Sequence, residues 1–386
     1  MKKRPNKLVD KIIVHAIHRA RRDIRDWRRA LQLAENPERP RRYRLYDIYE
    51  EITLDAHLSA QVQKRIHALT GRSFHLTDKD GNVSDHTRLL QRPWFYKLLH
   101  LVVETRLYGH SLIQIDEIDT SGEIRNVTLI DRRHVVPEHS LFLIRPIDDK
   151  GIDYTDPKYE RWLIEIGEKK DLGLYNKAVP HVLYKRFAQA AWSEFTEIFG
   201  MPIRIGKTNT KDTESLNRME QMLVQMGTAA YGVIDKDEEI FFVENNKSDG
   251  SIYDGLIKRS NAEISKLING AVIGEDTPGG SRAKEQVGQK IGNEISLADS
   301  RYAQFFINYT LLPKLIRLGY PLQGLEFRFE QEKDTGKLWQ IAQGLLPYYD
   351  IPKDYIRETF GIPVEPRNGT AQQMRFRLPD GTDFFD

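Results

Sequence analysis

No cysteine occurs among the 386 residues, which removes a disulfide framework, thiolate zinc sites and thiol catalysis together. No run approaches the ~18 consecutive apolar residues of a membrane span. The chain opens on Lys2, Lys3 and Arg4 and continues into a charged helical pattern, where a secretory signal needs an apolar core. The expectation is a soluble intracellular chain with no membrane partner. Charge of one sign is also scarce overall, since 58 Lys and Arg oppose 56 Asp and Glu for a net of +2. That balance predicts neither a nucleic-acid coat nor a membrane-surface protein.

The motifs of common enzymes are missing as well. Gly206-Lys207-Thr208 imitates the end of a phosphate loop, but Met201 stands where its first glycine belongs and Pro202 removes an amide that the cradle needs. The eleven histidines are scattered, with no His-x-x-x-His pair beside a glutamate. No metal and no cofactor is expected. Carboxylates with nearby lysines at Glu165 to Lys170 and at Glu330 to Lys333 are the fragments from which a metal-dependent nuclease could be built. In a chain with 30% charged residues such fragments arise by chance, and solvated strand ends are the better reading.

The charge that is present is unevenly placed. Residues 1–44 hold 15 basic and five acidic side chains, leaving 43 basic and 51 acidic in the remainder. A basic arm leads a mildly acidic body. Within the arm, Ile13, Ile17, Ala20, Ile24, Trp27 and Leu31 trace one helical stripe, while His18, Arg22, Arg25 and Arg29 repeat on another face. Asn36, Pro37, Pro40 and the run Arg41, Arg42, Arg44 read as a hinge-like connector. The arginines are candidates for phosphate or acidic-protein contact, weighed evenly against a merely solvated face.

Beyond the arm the pattern is α+β. One helix is expected from Tyr46 to Thr70, then a short strand at Ser73–Thr77 and a plain turn at Asp78–Asn82. A helix from Trp94 to Tyr108 ends at Gly109, and alternation on either side of Ser121-Gly122 predicts a hairpin. Further strands are expected at Val135–Ile144 and Arg161–Ile166, giving a mostly antiparallel sheet. The second half is mainly helical. Lys211–Met226 carries a seam of Leu216, Met219, Leu223 and Met226, suited to contact with another helix. A hairpin-like piece at Tyr231–Glu244 turns at Asp235 to Glu238, a helix spans Ile252–Ile268, and a long helical stretch from Arg282 to Leu318 is kinked near Pro313. A strand at Leu325–Phe329, a helix at Lys337–Leu346 and a tail punctuated by proline and glycine complete the chain.

Several runs resemble one family. Tyr46-Asp47-Ile48-Tyr49-Glu50-Glu51 through Asp55-Ala56-His57-Leu58 to Arg65-Ile66, with Ser73-Phe74, resembles the early helix and strand of bacteriophage portal proteins. Leu107-Tyr108-Gly109-His110-Ser111 and Asp131-Arg132-Arg133 follow in the same order. The stretch from Leu172-Gly173-Leu174 through Val182-Leu183-Tyr184-Lys185-Arg186, Ala191-Trp192 and Phe195 to Phe199-Gly200-Met201-Pro202 is similar to the Mu-like portal family. So are Ile264 to Gly270 and Phe360-Gly361-Ile362-Pro363. The likeness covers roughly residues 45–365.

What the resemblance implies is a non-enzymatic ring, usually a dodecamer, at one capsid vertex of a virion assembled in the host cytoplasm. Double-stranded DNA would be packaged and ejected through its channel. The implied partners are the terminase large subunit, the major capsid protein and scaffold, and a head–tail connector. By order, residues 1–44 are the arm, 45–205 an α+β wing, and 206–281 paired stem helices with a short clip at 231–251 and a tunnel loop at 270–280. Residues 282–365 are a long helix and crown-proximal part, and 366–386 a tail. Leu216, Met219, Leu223 and Met226 are then stem contacts between subunits, Lys236, Asp237, Glu238 and Glu239 face the terminase, and Glu275, Asp276, Arg282 and Lys284 face DNA. Two alternatives from other classes stay open at this point. One is a metal-dependent nuclease or recombination enzyme of a mobile element relying on Glu168 or Glu332, and the other is a DNA-binding adaptor without a channel.

Overall fold

The computed structural model describes residues 23–120, 122–199, 204–209, 211–225, 231–235, 250–272, 282–330 and 335–363. The chain divides into two compact units, Met1–Phe329 and Glu330–Asp386. Helix α1 (Ile24–Ala34) starts on Asp23, whose carboxylate accepts the amides of Arg25 and Asp26 in a reciprocal capping box. It buries Ala30 and Ala34, and the indole of Trp27 donates to Asn176 Oδ1 at 2.9 Å. The stretch expected as a separate arm is therefore part of the main body from Ile24 onward. Residues 1–22, with the stripe from Ile13 to Ala20 and with Arg22, lie outside the described residues.

The helix expected from Tyr46 to Thr70 is two helices, α2 (Tyr43–Ile52) and α3 (Ala56–Thr70). Asp55 divides them by accepting the amide of Leu58 as an N-cap, so Leu54 falls in the break and is exposed. Strand β1 (Phe74–Thr77) follows, and its turn is held by Asp78, which accepts the amides of Asp80 and Asn82. Helix α4 (Pro93–Tyr108) is buried on most sides. It ends at Gly109, whose φ of +90° and contact with the Asp171 carbonyl leave no room for a Cβ.

Strands β2 (His110–Ile118) and β3 (Ile124–Leu129) form the expected hairpin. The short strands β4 (Val135–Val136), β5 (Leu141–Phe142) and β6 (Ile152–Asp153) make a second antiparallel sheet. A single helical turn, α5 (Pro157–Glu160), leads to β7 (Leu163–Gly167), which pairs antiparallel with the other edge of β2. A 27-residue helix comes next, α6 (Gly173–Phe199), which the sequence reading did not assign. It buries Tyr175, Ala178, Val179, Val182 and Leu183 at helical spacing, and the internal Pro180 obscures the pattern.

Strand β8 (Arg204–Thr208), helix α7 (Thr213–Gln225) and β9 (Tyr231–Asp235) form a unit in which β8 and β9 pair in parallel. The first strand of the piece expected at Tyr231–Glu244 is β9, which runs beside β8, and the rest of it, 236–249, lies outside the described residues. A parallel pair needs a crossover, which α7 supplies. Helix α8 (Ser251–Asn269) packs along α6 and against α3. The long stretch near Pro313 is α9 (Arg282–Phe306), a π-turn at Ile307–Leu311, and α10 (Leu312–Leu318). Pro313, in the first turn of α10, removes an amide where the ladder is already interrupted. Strand β10 (Glu326–Phe329) pairs antiparallel with β1, joining positions 74 and 329.

One core unites α1 to α4, α6, α8 and the π-turn segment with β1 to β3, β7 and β10. At its centre Arg65 of α3 is buried. It holds Asp299 of α9 through Nε and Nη2 at 2.7 and 2.9 Å and donates Nη1 to the Ile268 carbonyl near the end of α8 at 2.7 Å. The second unit, taken by itself, has helices α11 (Thr335–Leu345) and α12 (Lys353–Phe360), with the rings of Trp339 and Phe360 packed edge to face.

Removing one member of a buried ion pair strands the other. Arg65→Met is expected to lower stability by about 3–5 kcal/mol, read as a fall in the urea midpoint, and Arg65→Met with Asp299→Leu should recover most of the loss. A single variant as stable as the parent would refute the assignment.

Candidate functional site

The arginines of the expected arm divide into two sets. Arg25 and Arg29 are exposed on α1, and Arg25 folds back onto the Asp23 carboxylate. Arg41 donates to the Asp148 carbonyl at 2.7 Å, and Arg44 is exposed beside the Tyr43 ring. Arg42 is a correction: its side chain is 1% exposed, forks onto Glu138 and donates to the carbonyls of Lys169 and Asp171. A guanidinium held that way fastens the connector to the loops around β5 and β7 and offers nothing to a phosphate. The sequence signal, three arginines after two prolines, carries no information on burial.

The carboxylates tell the same story. Glu165, a member of one candidate nuclease fragment, accepts His110 Nε2 at 2.9 Å and the Tyr154 hydroxyl at 2.6 Å. Burial raises its carboxyl, but these donors outweigh it and hold the group below its ordinary range. His110 is pushed below its usual value by burial in spite of Glu165. Lys185 meets Asp55 at 2.9 Å with both groups buried, and Arg186 meets Glu51. Arg132 lies 4.0 Å over the Tyr108 ring and donates to Ser111 at 2.9 Å. Among the described residues no group of three His, Asp or Glu side chains could hold a metal ion. The second fragment, including Glu332, falls outside them apart from Glu330. Gly206-Lys207-Thr208 is the end of β8, an extended strand rather than a loop around phosphate.

The seam on α7 is turned inward. Leu223 is 4% exposed, and Met219 and Leu223 lie against Gly206 of β8 so closely that a Cβ there would collide with Met219. Leu216 is half-buried on the same helix, and Met226 lies outside the described residues. The helix that packs along α8 is α6. The Trp192 indole lies against Gly250, and the Phe195 and Tyr253 rings sit 6.0 Å apart, so the end of α6 meets the start of α8 and the two run antiparallel. Near the other end of α8, His57 meets Ser265 at 2.7 Å, and Asn269 donates to both oxygens of Gln61. Exposed apolar side chains on the pair include Tyr184, Phe187 and Trp192 of α6 and Ile252 and Leu256 of α8. Lys236, Asp237, Glu238, Glu239, Glu275 and Asp276 lie outside the described residues, and Arg282 and Lys284 open α9. No helix among the described residues is long and apolar enough to cross a membrane.

The polar groups described tie one element to the next within a fold of α+β architecture. Residues 46–362 match the model of the family described as portal protein of Mu bacteriophage, and the chain belongs to that family. It is 24% identical to the portal protein of Escherichia phage Mu, over 84% of this chain and 71% of that one. It is 22% identical to the Mu-like prophage FluMu protein gp29 of Haemophilus influenzae, over 84% and 68%. An HK97 family phage portal protein from Corynebacterium diphtheriae aligns with 10% identity over 78% of this chain and 98% of its own, with a TM-score of 0.40. The chain is a phage portal subunit, and the nuclease and adaptor alternatives are not favoured.

Two outcomes follow from these contacts. Because Leu223 closes α7 onto its own strand, Leu223→Asp should loosen 204–235, detected as new proteolysis there, at a cost of about 2–5 kcal/mol. Protection equal to the parent would count against the packing. Burial makes His110 harder to protonate in the fold than an unfolded histidine, which takes up a proton below about pH 6.5, so the unfolded state binds more protons there and stability falls as the pH drops. His110→Gln should flatten that fall between about pH 7 and pH 5 in denaturant titrations, and an unchanged slope would place the proton elsewhere.

Proposed function

We propose that copies of this chain close head to tail into a ring around an open channel, through which double-stranded DNA enters and leaves a capsid at one vertex. The match over residues 46–362 carries the reading. A heterologous contact closes when its rotation divides a full turn, and twelve copies is the number the family resemblance implies. In this reading the antiparallel pair α6–α8 is the stem, and β8, α7 and β9 with 236–249 form the clip. Lys236, Asp237, Glu238 and Glu239 then face the terminase large subunit. Residues 270–280 remain the tunnel loop, with Glu275, Asp276, Arg282 and Lys284 toward DNA.

Charge supports the same reading. Outside residues 1–44 acids outnumber bases by 51 to 43. Each phosphate neutralised by a wall adds affinity that translocation must undo, so weakly attractive or repulsive walls favour sliding. The ring itself makes and breaks no bonds. Its other partners are the major capsid protein, scaffold and a head–tail connector, with Arg22, Arg25, Arg29 and Arg44 as candidates for contact with DNA, scaffold or shell.

Negative-stain microscopy of the purified chain should show annular particles with a central hole, and solid monomers at micromolar concentration would overturn the reading. Tyr184→Asp with Ile252→Asp should leave the subunit folded by circular dichroism but shift sedimentation from ring to smaller species, since charge at the centre of an interface costs more than at its rim.

A further inference from the structure

A cleft of about 260 Å³ between α5 and α10 is lined by Pro157, Glu160, Arg161, Lys314 and Arg317. Three cations share it with one carboxylate. Arg317 pairs with Glu160, while Lys314 donates to the Glu160 carbonyl at 2.8 Å and Arg161 to the Arg317 carbonyl at 3.2 Å. Other acids near Arg161 in sequence are engaged elsewhere: Glu165 accepts from His110 and Tyr154, Asp156 holds Lys158, and Asp153 accepts from Thr155. We propose that this cleft binds a phosphate group, held by Arg161, Lys314 and Arg317.

The plainest competing role for these cations is capping, because cations at the end of a helix satisfy its last carbonyls and its negative pole. That accounts for one N–H of Lys314 and one of Arg161. It leaves two donors on the ammonium and four on the guanidinium, and among the described residues neither group lies within ion-pair distance of a carboxylate. Burial, with a smaller contribution from Arg317, lowers the Lys314 ammonium below its ordinary range although Glu160 raises it, so an added anion in the cleft would favour its charged form. A volume of about 260 Å³ has ample room for one tetrahedral oxyanion and lies just below the roughly 300–1,000 Å³ of sites for drug-sized molecules. Guanidinium forks around a concave opening suit such an anion. The inference is independent of the channel reading, since nothing in it requires a ring.

Inorganic phosphate titrated into the full chain in chloride buffer, followed by ³¹P line broadening, should give saturable binding. Arg161→Gln and Lys314→Met should each weaken it by about tenfold, Lys314→Arg should retain it, and Arg92→Gln, distant in sequence and on another element, should leave it unchanged. Competition by a short duplex would identify the natural source as a phosphodiester, and competition failure with phosphate still bound would identify free phosphate. Absence of saturation, or equal affinity in the parent and both cleft variants, would reduce these side chains to helix caps and overturn the site.

Discussion

The guanidinium of Arg65 is the point on which the first unit turns. It ties α3 to α8 and α9 at once, and a cation so deep in the fold needs both oxygens of Asp299 and a carbonyl to offset the hydration it has lost. An apolar contact would hold the helices over a range of rotations, whereas a bidentate fork admits one. The register of α8 against α3 follows, and Asn269 and Ser265 find Gln61 and His57 only in that register. Because α6 packs along α8, the placement of the antiparallel pair is inherited from the same tie.

Most elements of the fold could be read from the sequence because their signals are local. Gly109 closing α4, the hairpin around Gly122 and the turn at Asp78 each follow from a few neighbouring residues. The failures have local causes too. Pro180 hid a 27-residue helix, Asp55 split one expected helix into two, and the pairing of β8 with β9 depends on a crossover that no short window contains. Site residues were harder to place. The spacing of Leu216, Met219 and Leu223 announces an apolar seam but not its partner, and that partner is the chain's own strand. Arg41, Arg42 and Arg44 look alike in sequence and differ in burial because only the fold brings Glu138 and the carbonyls of Lys169 and Asp171 to Arg42.

Charge in this protein works inward. Arg42, Arg65, Arg132 and Lys185 are all buried and each meets a carboxylate or a carbonyl. Such ties contribute less to net stability than to the choice of one arrangement. The near-neutral total of 58 bases and 56 acids is therefore a poor guide to the surface that faces other molecules.

The pairing of β1 with β10 sets the timing of synthesis. Phe74 waits for Phe329, its ladder partner, so the sheet edge near the start of the body stays open until some 250 further residues have left the ribosome. A polypeptide released early would lack that clasp and expose Phe74 and Leu76. The clasp therefore works as a check on chain length: only a polypeptide that extends through Phe329 can finish the ladder that covers Phe74 and Leu76.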